Sequence, residues 1–177
     1  MSWKPGDRRE HHDAMVRVDQ AGEYGATRIY AGQLAVMGDR TPTARTIAGM
    51  ANQEEHHRIF FDGLIARRGV RPTLLQPFWD VAGYGLGVVT AALGPQAAMA
   101  CTAAIETEID LHYQQQLEQL GDEDPELRDA VARFREEEVE HRDTAIASGA
   151  ESTPGYPVLS ALIRAGCRFA IGMSKRI

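Results

Sequence analysis

Two copies of one metal-ligand pattern lie about half a chain length apart, and this repeat constrains the fold more than any other feature of the sequence. Each copy is a lone glutamate followed, 31 or 32 residues later, by the sequence Glu-x-x-His. Glutamate and histidine are common ligands of protein-bound metal ions. The six residues of the two copies are Glu23, Glu54, His57, Glu106, Glu138 and His141.

The spacing within each copy indicates helices. Residues three apart lie on one face of a helix, so Glu54 with His57, and likewise the second pair, can each hold one ion. The lone glutamates, Glu23 and Glu106, can then bridge or cap the two ions. One glutamate from each of two helices and a Glu-x-x-His from each of the other two form the dimetal site of ferritin-like bundles. The pattern therefore predicts an all-α, ferritin-like four-helix bundle with a site for two metal ions.

A single Glu-x-x-His triplet would be weak evidence, because charged helix surfaces often contain one by chance. Further matches between the halves, at positions that no metal ligand requires, strengthen the prediction. These matched pairs are Tyr30 and Tyr113, Gln33 and Gln116, Leu34 and Leu117, and Arg58 and Arg142. They indicate an internal duplication of a helix pair with an offset of about 83 residues.

Helical periodicity dominates the chain, and no alternating stretch is long enough to suggest a sheet. Thr41 and Asp124, each followed by proline, are typical helix N-caps. We expect one domain over residues 1–177, with a tail over 1–12 and an additional basic, amphipathic helix within 157–177. The predicted helical regions are 13–37, 42–69, 78–120, 125–149 and 158–173.

Residues 81–105 carry no charged side chain and are long enough to span a bilayer. However, the stretch consists mainly of alanine and glycine, is interrupted by Gly94-Pro95 and leads directly into Glu106. These features favour a buried or bilayer-dipping helix over a membrane span. A Gly-x-x-x-Gly pattern at 83–87 permits close helix packing, although alone it is weak evidence.

Charge and cysteine content limit the classes of function. A net charge of −6 argues against a nucleic-acid partner. Cys101 and Cys167 are too few and too far apart for a thiolate metal cage or a disulfide framework, which favours a reducing compartment. Residues 1–10 are polar and predict no secretory signal. Residues 157–177 carry four basic side chains and no acid, which suggests a surface that binds anionic lipid.

Carboxylate and imidazole ligands without thiolates suit iron or manganese. Asp19 and Asp110 lie one turn from the lone glutamates and either orient a metal-bound imidazole or make an ordinary buried hydrogen bond. Tyr30 and Tyr113 lie two turns away, where core packing competes with a substrate or electron-relay role. Other acidic residues near the motifs are offset from the ligand face, and we expect them at the solvated surface. They are Glu55, Glu108, Glu136, Glu137 and Glu140.

The sequence around these motifs resembles the demethoxyubiquinone hydroxylase family of ubiquinone biosynthesis. The resemblance covers most of the chain from about residue 13 onward, and the order and spacing of the matching segments make it specific. Other ferritin-like families share the ligands but lack these flanking segments. The segments are 18–26, 28–33, 53–57, 71–73, 98–102, 112–113, 138–141 and 165–168.

The resemblance implies a di-iron monooxygenase that uses dioxygen to hydroxylate the ring of a polyprenyl methoxy-methyl-benzoquinone. It implies two iron ions per chain, held by the six residues of the repeat, with Glu54 and Glu138 as bridging ligands. Members of the family are peripheral membrane proteins, so we expect the cytoplasmic face of the cell (inner) membrane. The chain has no glycine-rich dinucleotide fingerprint, so NADH is expected as the ultimate reductant by a route that the sequence leaves unassigned.

Several alternatives share the ligand pattern. A ferritin-like protein for iron binding or detoxification needs no substrate pocket, and a dimanganese catalase uses similar ligands. A purely structural bundle would not depend on the glutamates and histidines at all. Apolar helix surface could also be buried in a homodimer or in a complex of ubiquinone-biosynthesis proteins instead of against lipid. The length of the quinone tail cannot be predicted from the sequence.

Overall fold

The computed structural model describes residues 5–177, with side chains from residue 10 onward, and this part of the chain is all-helical. The predicted all-α class is therefore confirmed. A short 3₁₀ turn, Ala150–Ser152, precedes the last helix. The helices are α1 (Pro5–Met37), α2 (Pro42–Arg68), α3 (Gln76–Ala92), α4 (Pro95–Leu120), α5 (Pro125–Ala147) and α6 (Tyr156–Ser174).

The helices form two similar groups of three. Helix α1 packs against α2, and α4 packs against α5, so two helical hairpins make up a four-helix bundle. Helix α3 then lies along α1, and α6 lies along α4. The sequence predicted a duplicated helix pair with one additional C-terminal helix, whereas each half in the structure carries an additional helix. The matched residues gave no indication of this because all of them lie in the bundle helices.

Two predicted boundaries differ from the structure. Helix α1 begins at Pro5, so residues 5–12 of the expected tail are helical, and residues 1–4 lie outside the described part. The helix predicted over 78–120 is two helices, separated at Gly94. Gly94 has a φ of 120°, which favours glycine, and the following proline begins α4, where its missing N–H costs nothing.

The helix caps agree with the sequence analysis. The side chain of Thr41 accepts a hydrogen bond from the backbone N–H of Ala44, and that of Asp124 accepts one from Leu127. Each cap provides a hydrogen-bond acceptor for a backbone N–H group of the first turn, which has no acceptor within the helix. Gly69 ends α2 in the left-handed conformation, with a φ of 67°.

The bundle interior has two ends of different character. One end contains large side chains, among them Phe61, Phe134 and Leu120. The other end is rich in alanine and includes the buried stretch 97–104 of α4 together with Met50. The candidate metal centre lies on the same four helices, so it is enclosed by the packed interior of the bundle.

Helix α3 approaches α1 closely because glycines line the contact. A Cβ atom at Gly87 would overlap the carbonyl oxygen of Ile29, and one at Gly32 would overlap that of Tyr84. A Cβ atom at Gly83 would lie 3.0 Å from the carbonyl oxygen of Gly25. The glycine pattern at 83–87 therefore packs α3 onto α1, as the sequence suggested.

We expect Gly87→Ala to destabilise the protein, because the new methyl group would push against the backbone of α1. Overpacking of this kind typically costs about 1–3 kcal/mol. Gly85→Ala is the matched control, since its Cβ would meet no atom within 4 Å. On propensity alone it should raise helix stability by up to about 1 kcal/mol. Urea unfolding of both variants measures the difference, and equal stabilities would contradict the packing account.

A buried carboxylate joins α6 to α4. Glu108 is 4% exposed, and its Oε1 accepts hydrogen bonds from Arg164 Nε at 2.5 Å and Arg168 Nη1 at 2.7 Å. The expectation that Glu108 belongs to the solvated surface was therefore wrong, because α6 covers that face of α4. From the sequence, the two arginines were expected to contribute to a surface that binds anionic lipid. In the structure they hold α6 against α4.

Among the described helices, none combines the length and the apolarity needed to cross a bilayer. The uncharged stretch 81–105 is divided between α3 and α4. Its second part is buried in the bundle, while α3 turns Val81 and Val89 outward. Burial of the α4 portion agrees with the interpretation favoured by the sequence.

Candidate metal centre

The structure brings all six residues of the repeated motif together inside the bundle. Helices α1 and α4 contribute the lone glutamates, and α2 and α5 contribute the Glu-x-x-His pairs. All six residues are buried, with at most 3% of their surface exposed. The residues are Glu23, Glu54, His57, Glu106, Glu138 and His141.

Their ligand atoms fall into two groups that share two carboxylates. Within each group, one ligand atom from every residue lies within 4.8 Å of the others, and each group could hold a metal ion. Glu54 and Glu138 belong to both groups, so each could offer one oxygen to either ion. The first group is Glu23, Glu54, His57 and Glu138, and the second is Glu54, Glu106, Glu138 and His141.

Both histidines turn Nδ1 towards the carboxylates. His57 Nδ1 lies 3.1 Å from Glu138 Oε1 and 3.4 Å from Glu23 Oε2. His141 Nδ1 lies 3.1 Å from Glu54 Oε1 and 3.3 Å from Glu138 Oε2. In a neutral imidazole whose Nε2 carries the proton, Nδ1 is an acceptor. Acceptor atoms then face acceptor atoms, an arrangement that a cation between them would stabilise.

Buried atoms without hydrogen-bond partners are concentrated at the same place. Within the described residues, both oxygens of Glu54 and of Glu138 are buried without a partner. The other buried atoms of the cluster without a partner are one oxygen of Glu23, one oxygen of Glu106 and Nδ1 of both histidines. Buried polar atoms are normally hydrogen-bonded, so a cluster of exceptions calls for an explanation. The donor set fits two divalent cations, whose charge would nearly balance four carboxylates.

The pKa shifts show the same demand for positive charge. Burial, followed by the charge of Glu138, raises the pKa of Glu54 and Glu106 well above the usual value. Burial alone would lower the pKa of His57, but the adjacent carboxylates of Glu138 and Glu23 favour the charged imidazole, outweigh burial and raise the pKa to about 12. The pKa of His141 is also raised: burial opposes the shift, and the Glu54 contact outweighs burial. Without metal, bound protons replace the cations.

We therefore expect metal-free protein to lose stability as pH rises from about 5 to 8. A carboxyl group with a raised pKa binds its proton more tightly when folded, and the raised pKa of His57 has the same consequence. Both contributions are lost as the solution becomes more alkaline. Divalent metal should reverse the trend, because it replaces those protons. Thermal unfolding across this pH range, with and without metal, measures both effects; metal stabilisation that weakens with rising pH would contradict the assignment.

Two residues that hold the outer nitrogens of the histidines were missed by the sequence analysis. His57 Nε2 lies 2.8 Å from Glu137 Oε2, and His141 Nε2 lies 2.8 Å from Gln53 Oε1. Glu137 was expected at the solvated surface, but the partner helix brings His57 against it. Each residue immediately precedes a shared glutamate, so the repeated position before Glu-x-x-His was the available indication.

The two aspartates do not contact the histidines of the cluster. Asp19 is buried and accepts hydrogen bonds from His112 Nε2 at 3.1 Å and Gln116 Nε2 at 2.7 Å. Asp110 instead accepts from Arg135 and Arg142 of α5, at 2.7 and 2.9 Å. Neither aspartate therefore orients His57 or His141. Asp19 is held by side chains of α4, and Asp110 is held by two arginines of α5.

Both tyrosines contact the lone glutamate of the opposite half. Tyr30 donates to Glu106 Oε1 at 2.7 Å, and Tyr113 donates to Glu23 Oε1. Burial, followed by the nearby carboxylates, raises the pKa of both phenols well above the usual value, so both stay protonated. The tyrosines are thus buried in the core and also hold carboxylates of the cluster.

The chain is similar over most of its length to enzymes of one family. A family model described as "Ubiquinone biosynthesis protein COQ7" matches residues 10–174. A 3-demethoxyubiquinol 3-hydroxylase of Rhodospirillum rubrum is 53% identical, covering 93% of this chain and 78% of that protein. The human mitochondrial NADPH-dependent 3-demethoxyubiquinone 3-hydroxylase is 48% identical, covering 93% of this chain and 77% of that protein. The chain belongs to the ubiquinone biosynthesis protein COQ7 family.

Proposed function

We propose that this protein is an oxygen-dependent hydroxylase of the demethoxyubiquinone ring in ubiquinone biosynthesis. The observation that carries the proposal is the pair of buried glutamate and histidine groups that share Glu54 and Glu138. The six residues of the repeat would hold two iron ions per chain, and the two shared glutamates could each offer an oxygen to either ion. Membership of a family whose relatives are named for this hydroxylation supports the choice of substrate, and carboxylate and imidazole ligands without thiolates support the choice of iron.

The reaction replaces one ring C–H bond of the quinone or quinol by C–OH. One oxygen atom of dioxygen enters the product, and the other leaves as water after accepting two electrons and two protons. Iron held by these residues would supply electrons to dioxygen. The four bundle helices exclude water from the site. Tyr30 and Tyr113 orient the lone glutamates, Glu106 and Glu23, through their hydrogen bonds. Exclusion of water protects a reactive oxidant from side reactions.

A reduced nicotinamide is the ultimate electron donor in this proposal. NADH was the reductant expected from the sequence, whereas two mammalian relatives carry names that specify NADPH. The test incubates iron-loaded protein in nanodiscs with a methoxy-methyl-polyprenylbenzoquinone and either nicotinamide, and follows the product by mass spectrometry. A further sample receives a chemical reductant, so that a missing reductase is not mistaken for missing chemistry. Iron-loaded protein that forms no product in any sample would favour the storage or catalase alternatives.

The same proposal places the protein on the cytoplasmic face of the cell membrane, with α3 and α6 against the lipid. Both helices expose large apolar side chains. They also touch each other, since Trp79 Nε1 donates to Ser174 Oγ at 3.2 Å. The apolar residues therefore belong to neighbouring surfaces, with Lys175 and Arg176 exposed at the end of α6. The outward residues are Phe78, Val81 and Val89 on α3, and Val158, Leu162 and Phe169 on α6.

We expect the double variant Leu162→Asp/Phe169→Asp to bind anionic vesicles at least about tenfold more weakly, because each apolar side chain contributes about 1.5–3 kcal/mol when fully buried. Ile59→Asp on α2 is the matched control, since Ile59 is 55% exposed but lies on neither helix. Vesicle co-sedimentation measures the binding. Unchanged binding by the double variant, together with loss of a dimer on size-exclusion chromatography, would assign this surface to a homodimer.

A further inference from the structure

The two histidines of the metal centre donate to partners of different chemistry. His57 Nε2 contacts the carboxylate of Glu137, whereas His141 Nε2 contacts the amide oxygen of Gln53. Both distances are 2.8 Å. One ion would thus be bound by an imidazole with an anionic partner and the other by an imidazole with a neutral one.

The two histidines match in burial and in the placing of carboxylates and outer partners, although the ring of Phe134 also lies 4.1 Å from that of His57. Each is buried, at 1% and 3% exposure, and each directs Nδ1 at two or more carboxylates. The partners also occupy equivalent places, because Gln53 precedes Glu54 and Glu137 precedes Glu138. Each partner reaches across from the opposite Glu-x-x-His helix. At the outer hydrogen bond the two positions therefore differ in the chemistry of the acceptor and not in the distance.

A carboxylate acceptor makes an imidazole a stronger ligand than an amide acceptor does. The charge-assisted hydrogen bond draws the Nε2 proton towards the oxygen and leaves more electron density on Nδ1. Partners of this kind raise ligand basicity and affect metal affinity about 10–100-fold. The Glu137 side chain is 30% exposed, so solvent screens part of its long-range field, but the direct hydrogen bond remains.

We propose that Glu137 and Gln53 are positioning residues that make the two metal positions inequivalent. The ion held with His57 and Glu23 binds more tightly and fills first, and the ion held with His141 and Glu106 fills second. This inference rests on the dimetal centre proposed above. It goes further by giving the two positions an order that depends on two named side chains.

The exchange variant Gln53→Glu/Glu137→Gln provides the sharpest test, because it swaps the two partners without changing the net charge. Crystals of full-length protein prepared with one equivalent of Co(II) would be measured at the cobalt absorption edge. In the wild-type protein the anomalous density should be stronger beside His57. In the exchange variant it should be stronger beside His141. Equal density at both positions, or a preference that the exchange does not alter, would overturn the inference.

A titration in solution gives the size of the effect. Co(II) competition against a chelator should show two binding steps, and Glu137→Gln should weaken the tighter step by about tenfold. Glu136→Gln is the control for lost charge, because Glu136 is adjacent and exposed, and it should leave both steps within about twofold. Two bound ions of equal affinity that Glu137→Gln leaves unchanged would overturn only this inference. Failure to bind any ion would instead overturn the dimetal centre itself.

Discussion

Glu138→Ala is expected to abolish hydroxylation and to reduce bound iron from about two ions per chain to fewer than one. Glu138 belongs to both ligand groups, and its two oxygens face His57 Nδ1 at 3.1 Å and His141 Nδ1 at 3.3 Å. Its loss therefore weakens both positions at once. The loss of activity should exceed the roughly 10–100-fold that removal of an outer hydrogen-bond partner costs. Iron analysis and product formation measure the two effects.

A second variant separates a shared ligand from an unshared one. Glu23 belongs to only one of the two groups, so Glu23→Ala should retain about one bound ion, beside His141. Glu140→Ala, on the exposed side of α5, is the control and should keep both ions and full activity. Circular dichroism should show that all three variants remain helical, because alanine favours a helix and no large apolar core side chain is removed. Glu138→Ala protein that kept its activity would refute the ligand assignment.

Phe134→Ala is expected to produce the largest loss of stability among simple core substitutions near the site. Phe134 is 4% exposed, and its ring lies 4.1 Å from that of His57 and 5.4 and 5.7 Å from those of Phe60 and Phe61. Truncation of a buried phenylalanine to alanine typically costs about 3–5 kcal/mol, whereas the whole stability of an ordinary domain is about 5–15 kcal/mol.

Urea unfolding of metal-free and metal-loaded protein measures this cost. Phe78→Ala is the matched control, because Phe78 is 58% exposed on α3 and its truncation should change stability by less than about 0.5 kcal/mol. Phe134→Leu, which keeps most of the volume, should fall between the two. Equal stabilities of Phe134→Ala and Phe78→Ala would show that the large-side-chain end of the bundle does not support the metal centre.

The sequence predicted the parts of this molecule that depend on spacing along a helix. The repeated Glu-x-x-His pattern identified the bundle, and the caps at Thr41 and Asp124 lie where Ser/Thr/Asp chemistry and proline indicated. The separation of α3 from α4 was less clear, because a Gly-Pro pair is compatible with a kinked helix as well as with two helices. The third helix of each half left no matched residues, since packing against the outside of the bundle tolerates many apolar side chains.

Partners across helices could not be predicted in this way. Glu137 and Gln53 share the position before a Glu-x-x-His motif, but their contacts with the histidines depend on the rotation of α2 against α5, which spacing along one helix does not specify. Glu108 is a similar case, because it looked like a surface acid until α6 covered it with Arg164 and Arg168. Asp110 was considered only for its position one turn from Glu106, and in the structure two arginines of α5 hold it instead.

The most direct test of the proposed hydroxylase uses labelled dioxygen. Iron-loaded protein would receive the demethoxyubiquinone substrate, a reduced nicotinamide or chemical reductant, and ¹⁸O₂ in unlabelled water, and the quinone would be analysed by mass spectrometry. The proposal predicts product that carries one ¹⁸O atom in its new hydroxyl group and no such product from Glu138→Ala. Product oxygen derived from water, or no product from protein that binds two irons, would contradict it.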